Sequence, residues 1–247
     1  MGGAGPPEYY RVHGPSHGLR GPRAVVYAVI KRFNTRCGDC ALSDMPEPVA
    51  GDTADTAVRL ADTPDWLYLL REFDALYRHG SAGGSAAIRG HRKRVRDRLS
   101  ATMAKHPAVM ETGGATKPVT AHFARALDLG ERGAMQGMAR ALREVREGLT
   151  WEYGYEKLSK SLAQKYAYCE VLGPKGPVQC DTLILGFVLF APNTTYPQHS
   201  HLDIEESYIS ISGAWSENNA AVFAPGSLIL NRSGDEHRIT TGDRDPC

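Results

Sequence analysis

Apolar positions along the chain change their period near residue 166. Before that point they recur at steps of three and four; after it they alternate or gather in short runs. Thr63-Pro64-Asp65 opens the first helical stretch. Thr63 is a capping type, Pro64 suits the first helical position, and Asp65 complements the helix N-terminus. Trp66, Leu69, Leu70, Phe73, Leu76 and Tyr77 follow at helical spacing and predict a helix that ends near Gly80. A second helix is expected over Ser85 to Lys105, with Ile88, Val95, Leu99 and Met103 as its stripe. Met135, Met138, Leu142, Val145 and Leu149 mark a third. Trp151, Tyr155, Leu158 and Leu162 continue that helical pattern more weakly.

The later segments read as strands: Tyr166 to Leu172, Thr182 to Phe190, Ser207 to Ser212, Ala220 to Phe223, Ser227 to Leu230 and Glu236 to Thr241. Gly173-Pro174-Lys175-Gly176-Pro177 is a turn between the first two. Short strands at short spacing indicate a sandwich or barrel. The expected class is therefore α+β, mainly β: a helical part over 62–165 packs on a β-barrel over 166–247. That helical part is expected to cap the barrel or to form the interface of a homo-oligomer. Residues 1–61, rich in Gly, Pro, Ala and Asp, read as a poorly structured extension. Within it, Ala24 to Ile30 is a seven-residue apolar run, either a short strand or a weak signal-like stretch. Met45 is a candidate natural start, which makes 1–44 an upstream extension.

Composition sharpens this picture. With 247 residues, 42% of them hydrophobic, the chain is no disulfide-stapled scaffold and no fully disordered polymer. No apolar run approaches the roughly 20 residues of a membrane-spanning helix, so no membrane partner is expected. The net charge of +1 hides an asymmetry: residues 1–150 hold 22 Lys/Arg against 16 Asp/Glu, and residues 151–247 hold 7 against 12. One face of the second helix carries Arg89, Arg92, Lys93, Arg94, Arg96 and Arg98. Without interleaved aromatics or a helix-turn-helix pattern, it reads as a solvated face or one docked on acidic neighbours, not a nucleic-acid site. Five cysteines are an odd number for a secreted framework. Cys37 and Cys40 form a CxxC without two further zinc ligands nearby. Cys169 and Cys180 flank a turn and could face each other across a hairpin as reduced thiols. This usage fits a reducing cytoplasm.

The candidate chemistry lies in the acidic half. His199-Ser200-His201 is an HxH pair, and an extended backbone puts both imidazoles on one face. Glu206 and Tyr208 share a face for the same reason, with Ile209 and Ile211 pointing away. His237 follows on a later strand. Three imidazoles and one carboxylate suit a divalent transition metal (Zn, Fe, Mn, Ni or Co) and leave positions open for substrate or water. Glu205 competes with Glu206 for the fourth place.

HxH, then Glu206, Gly213, Pro225-Gly226 and His237 resembles the two motifs of the cupin superfamily. That resemblance implies an antiparallel double-stranded β-helix, or jelly-roll barrel, with a metal in its mouth, and favours Glu206 over Glu205. Glu206-Ser207-Tyr208 further matches the Glu-x-Tyr of cupin-type dimethylsulfoniopropionate (DMSP) lyases. Several stretches are similar to the DddL type: 65–73 (DWLYLLREF), 151–155 (WEYGY), 185–192 (LGFVLFAP) and 196–201 (YPQHSH). The similarity covers roughly 62–247. Members of that family continue beyond the position of Cys247 into another apolar strand, so the barrel is expected to lack its last strand.

The resemblance implies β-elimination of DMSP to dimethyl sulfide and acrylate. The metal would hold the substrate carboxylate, and Tyr208 would abstract the α-proton. Tyr208 is otherwise a barrel residue with a hydrogen-bonded hydroxyl. Tyr196 is a second catalytic candidate, orienting the carboxylate or helping activate Tyr208, or else a packing residue. Trp215, Trp151, Tyr153 and Tyr155 are candidate walls for the sulfonium group. The alternatives are another metal-dependent cupin enzyme, a dioxygenase or isomerase, and a ligand-sensing cupin regulator.

Overall fold

Helix α1 (Pro64–His79) buries Leu69, Leu70, Phe73 and Tyr77, which form one stripe at steps of one, three and four. In this computed structural model, which describes residues 23–31, 57–79, 84–155 and 158–242, Thr63 does not cap α1 through its side chain. Its hydroxyl donates back to the Arg59 and Leu60 carbonyls. Helix α2 (Ala86–Ala104) begins where the pattern places it, and the Ser85 hydroxyl accepts from the Ile88 amide. Its buried positions are His91, Val95, Leu99 and Thr102. Half of these are polar, so the apolar stripe alone does not account for this face.

Helix α3 (Phe123–Glu131), after a 3-10 turn at Pro118–His122, falls where the sequence pattern assigned nothing. Helix α4 (Gln136–Glu144) carries the Met138 and Leu142 stripe, and Val145 and Leu149 are buried as expected. The helical pattern does not continue to Leu162. A 3-10 turn at Arg146–Gly148 ends it, and Trp151–Glu152 becomes a short strand pairing with Cys169 and Tyr168. Gly148 lies so close under the Trp66 ring that a Cβ would meet it at 2.9 Å. The chain turns away there to reach the sheet. A four-residue helix, α5 (Lys160–Ala163), follows.

The strands are β1 (Arg23–Lys31), β2 (Trp151–Glu152), β3 (Tyr166–Gly173), β4 (Val178–Gln179), β5 (Ile184–Phe190), β6 (Thr195–His199), β7 (Ile204–Ser210), β8 (Trp215–Glu217), β9 (Val222–Phe223), β10 (Leu228–Asn231) and β11 (His237–Thr241). Among the described residues they form two sheets. One runs β10-β7-β1-β5-β3-β2 with β4 beside β3, and the other runs β6-β11-β8-β9. The six expected strands thus recur, with β2, β4, β6 and β8 added. The larger sheet is buried on both faces. Leu185, Phe187, Leu189, Ile209 and Ile211 pack on the helices. Val188, Phe190 and Tyr208 face Tyr196, Trp215 and Ile239 of the smaller sheet. A Phe73–Phe187 ring contact at 5.4 Å ties α1 to the back of β5.

Two expectations about organisation change. Residues 1–61 are not uniformly unstructured: the apolar run at 24–30 is strand β1, lying between β5 and β7 and antiparallel to both. The sheet over 166–247 therefore takes two strands from outside that range, β1 between β5 and β7 and the short β2 beside β3. Met45, Cys37 and Cys40 lie outside the described residues. Cys169 and Cys180 are not joined by a disulfide; the first is buried in the core and the second lies beside the Thr102 hydroxyl.

Candidate metal centre and substrate cavity

Strand pairing brings the four candidate ligands together. His199 ends β6 and His237 begins β11, and the two are direct partners in the ladder. His201 follows in the turn after β6. Glu206 comes from β7 in the opposite sheet, where alternation turns it inward with Tyr208 while Glu205 and Ser207 face the helices. One donor atom from each of His199, His201, Glu206 and His237 lies within 4.8 Å of every other. Donors bound at about 2.0–2.2 Å to one ion lie within roughly 4.4 Å of each other, so the set needs little adjustment to close on a metal.

The hydrogen bonds prepare the rings for this. His199 Nδ1 faces the Pro197 carbonyl at 2.9 Å, and His237 Nδ1 faces the Asp235 carbonyl at 3.2 Å. A carbonyl only accepts, so each Nδ1 carries the proton and each Nε2 keeps its lone pair. Glu206 Oε2 and His237 Nε2 are buried and make no hydrogen bond to any described residue. They lie 3.3 Å apart, and Oε2 is 3.8 Å from His201 Nε2. A buried carboxylate oxygen without a partner costs on the order of 1–3 kcal/mol or more. A cation among these atoms removes that cost, and the donor set fits one. Burial lowers the His199 pKa and favours its neutral form. Burial acts the same way on His237, but the adjacent Glu206 carboxylate outweighs it and raises the value. Glu217 sits behind this pair, raised by burial, and accepts from the Asn231 amide.

The centre opens into a cavity of about 380 Å³, within the usual range for small-ligand sites. Tyr208 lines it, buried and edge-on to Trp215. Tyr196 also lines it, but its hydroxyl donates to the Tyr166 hydroxyl at 3.2 Å. Burial, then the neighbouring tyrosines, push its pKa far up, so it stays protonated. Of the four candidate aromatic walls, Tyr155 lines the cavity. Trp215 is packed behind Tyr208. Trp151 lies in the helical core against Phe123, and Tyr153 donates to the Ala163 carbonyl with Lys117 over its ring. Sequence reasoning missed Tyr166 and Tyr168. Their spacing of two on β3 is the available signal, since it puts both on the interior face with Glu170. The basic face of α2 is largely docked on the chain itself. Arg92 donates to the Tyr77 carbonyl, Arg94 to Glu205, and Arg98 to the Thr182 carbonyl. Among the described residues, no helix is long and apolar enough to cross a membrane.

Comparison with known proteins agrees with this architecture. Residues 91–247 match a family model described as dimethylsulfoniopropionate lyase. A protein of Cereibacter sphaeroides named as a candidate dimethylsulfoniopropionate lyase, DddL, is 72% identical over 190 residues, covering 77% of this chain and 82% of that protein. Two solved structures share the fold. One is the DMSP lyase DddQ from Ruegeria pomeroyi, with TM-score 0.53, 21% identity, and 74% of this chain and 87% of that chain covered. The other is reported with the DMSP lyases RdDddP and RnDddQII, with TM-score 0.51, 19% identity, and coverages of 74% and 89%.

Proposed function

The chain belongs to the dimethylsulfoniopropionate lyase family, and on that premise we propose that it cleaves DMSP to dimethyl sulfide and acrylate at the cavity of Tyr208. We assign His199, His201, Glu206 and His237 as ligands of one divalent transition metal. The observation that carries this reading is the buried, unpartnered pair of donor atoms on Glu206 and His237, opening into a tyrosine-lined cavity. When bound, the metal supplies Lewis acidity to the substrate carboxylate and stabilises charge developing beside it.

The chain's own groups do the rest. The Tyr208 phenolate takes the proton from the carbon next to the carboxylate. The released electron pair forms the carbon–carbon double bond, and the C–S bonding pair leaves with sulfur as neutral dimethyl sulfide. The proton on Tyr208 returns to water before the next turnover. An ordinary tyrosine has a pKa of about 10, so the phenolate needs nearby positive charge, which a metal and a sulfonium substrate both provide. We assign Tyr196, which burial and the neighbouring tyrosines keep protonated, to orienting the substrate carboxylate rather than to taking the proton; its ring is edge-on to His199 with centroids 5.0 Å apart. Cys169 and Cys180, both reduced, fit action in a reducing cytoplasm.

The test is headspace detection of dimethyl sulfide after DMSP addition. Tyr208→Phe is expected to bind metal as the wild type does and to release at least about 100-fold less gas, the scale of a lost general base. Undiminished release from that variant overturns the assignment of the base.

A further inference from the structure

A second polar cluster lies on the far side of β7 from the cavity, inside the helix–sheet core. The Tyr77 hydroxyl of α1 is 2.8 Å from Ser207 Oγ, and Ser207 Oγ is 2.8 Å from His91 Nε2 of α2. His91 Nδ1 is 3.2 Å from Glu205 Oε2. Arg94 Nη2 reaches both Glu205 oxygens, at 2.7 and 2.5 Å. His91 and Ser207 are 0% exposed, and Tyr77 is 1% exposed. Burial keeps the imidazole neutral, and Arg94 and His91 hold Glu205 ionised against its own burial. The protons then have one consistent order. Nδ1 of the neutral His91 ring lies beside the Glu205 carboxylate and carries the proton, the Ser207 hydroxyl donates to Nε2, and the Tyr77 hydroxyl donates to Ser207.

Acid, imidazole and serine stand here in the order of a hydrolase triad. No substrate can reach the serine: it is fully buried and Tyr77 covers it. The cluster needs another explanation, because replacing buried polar groups by apolar side chains of the same shape is often close to neutral for stability. The strand it grips supplies one. Glu205 and Glu206 are adjacent and identical, and Ser207 is small, so the apolar pattern of β7 resumes only at Ile209. A one-residue slip at this end exchanges which glutamate faces the cavity. Arg94 and His91 give one of the two an ionic partner among the helices, and that leaves the other for the centre.

We propose that His91, with Tyr77, Arg94 and Ser207, is a positioning assembly that selects Glu206 over Glu205 as the metal ligand and sets the adjoining Tyr208. The inference rests on the four-residue metal reading above. Its test is the affinity of the purified full chain for Co(II) and Zn(II), measured by chelator competition on protein shown to be folded by circular dichroism. Ser207→Ala and His91→Leu are expected to weaken binding about 10-fold or more, the effect typical of groups that orient a ligand, with a changed Co(II) absorption spectrum. Tyr77→Phe, which removes one hydroxyl and no volume, should weaken it by a smaller factor, and His91→Gln should recover part of the loss. Leu99→Ala, an apolar truncation on the same helix, should lower the melting temperature yet leave affinity within about two-fold of wild type, since it orients no ligand. Glu206→Gln is run in parallel. If it binds metal like the wild type, the metal reading fails and the inference falls with it. If it loses metal while Ser207→Ala, His91→Leu and Tyr77→Phe bind as tightly as the wild type, or no more weakly than Leu99→Ala, the positioning role alone is overturned.

Discussion

His199 and His237 are held by the same device on facing strands. Each turns its Nδ1 to the carbonyl two residues earlier in its own chain, Pro197 and Asp235, and the ring centroids lie 4.1 Å apart. Both Nε2 atoms are thereby preset, so the site is built before any ion arrives. Chelation should then leave a folded protein that releases no dimethyl sulfide, and adding back a divalent metal should restore release. A ligand present at 100 times its dissociation constant stabilises by about 2.7 kcal/mol, so metal should raise the melting temperature measurably. His237→Ala should abolish both the temperature shift and the recovery. A metal-dependent shift that survives in His237→Ala would remove that residue from the centre.

The cavity wall away from the metal belongs to tyrosines kept as neutral phenols. Tyr168 donates to Glu152 at 3.2 Å, and burial, then Glu152, push its pKa up to about 12. A neutral, electron-rich ring beside a carboxylate is suited to a sulfonium cation, and such contacts contribute about 0.5–2 kcal/mol. Tyr168→Leu should therefore raise KM for DMSP roughly 2- to 30-fold with kcat little changed. Tyr208→Phe should do the reverse and lower kcat. Steady-state kinetics on the two variants separate these effects, and a kcat loss in Tyr168→Leu at unchanged KM would contradict the assigned role.

The sequence shows the candidate metal ligands clearly because His199, Glu206 and His237 sit on strands whose period of two decides facing without tertiary information, and His201 follows just beyond the end of β6. It shows α1 and α2 for the same reason: Leu69, Phe73, Val95 and Leu99 declare a helical stripe. The rest depends on contacts that no local pattern carries. Trp151 fits a helical period, yet pairs with Cys169 because Gly148 ends the helix against Trp66. His91 reads as one more polar residue on a basic helix, and its partners Glu205 and Ser207 are more than 110 positions away. Trp151 and Trp215 look like ligand-binding aromatics by type, and packing alone places them behind the cavity.

Strand β1 has neighbours on both sides, and Tyr27 is opposite Gly186 of β5 and Tyr208 of β7 in the ladder. A proline in a strand paired on both sides removes a ladder N–H and leaves a carbonyl without its partner. Tyr27→Pro is thus expected to cost about 1–3 kcal/mol and to reduce dimethyl sulfide release, because β7 carries both Glu206 and Tyr208. Thermal unfolding and gas release on the same preparation check this. An unaltered melting temperature would show that β1 contributes nothing to the sheet.

The His91 cluster also sets a pH dependence of stability. Burial lowers the His91 pKa in the folded chain, while the unfolded chain takes up the proton near its ordinary value of about 6.5. Below that value the unfolded state holds more protons, so stability falls as pH drops from about 7 toward the folded value. Glu205 is lowered as well, so its contribution is complete above the ordinary carboxylate range and is lost only at more acidic pH. Arg94 and Arg98 also oppose His91 protonation, and Glu205 favours it, with Tyr77 and Ser207 the neutral neighbours. His199 and His237 remain in a His91→Gln variant, so comparison with metal-free wild type isolates His91. Urea unfolding at several values between pH 5 and 8 should show the decline from pH 7 to 5 flattened in His91→Gln. Its further decline at lower pH, where Glu205 protonates, should persist. Parallel curves for the two proteins across pH 5–8 would mean that the buried imidazole titrates alike folded and unfolded, which its complete burial argues against.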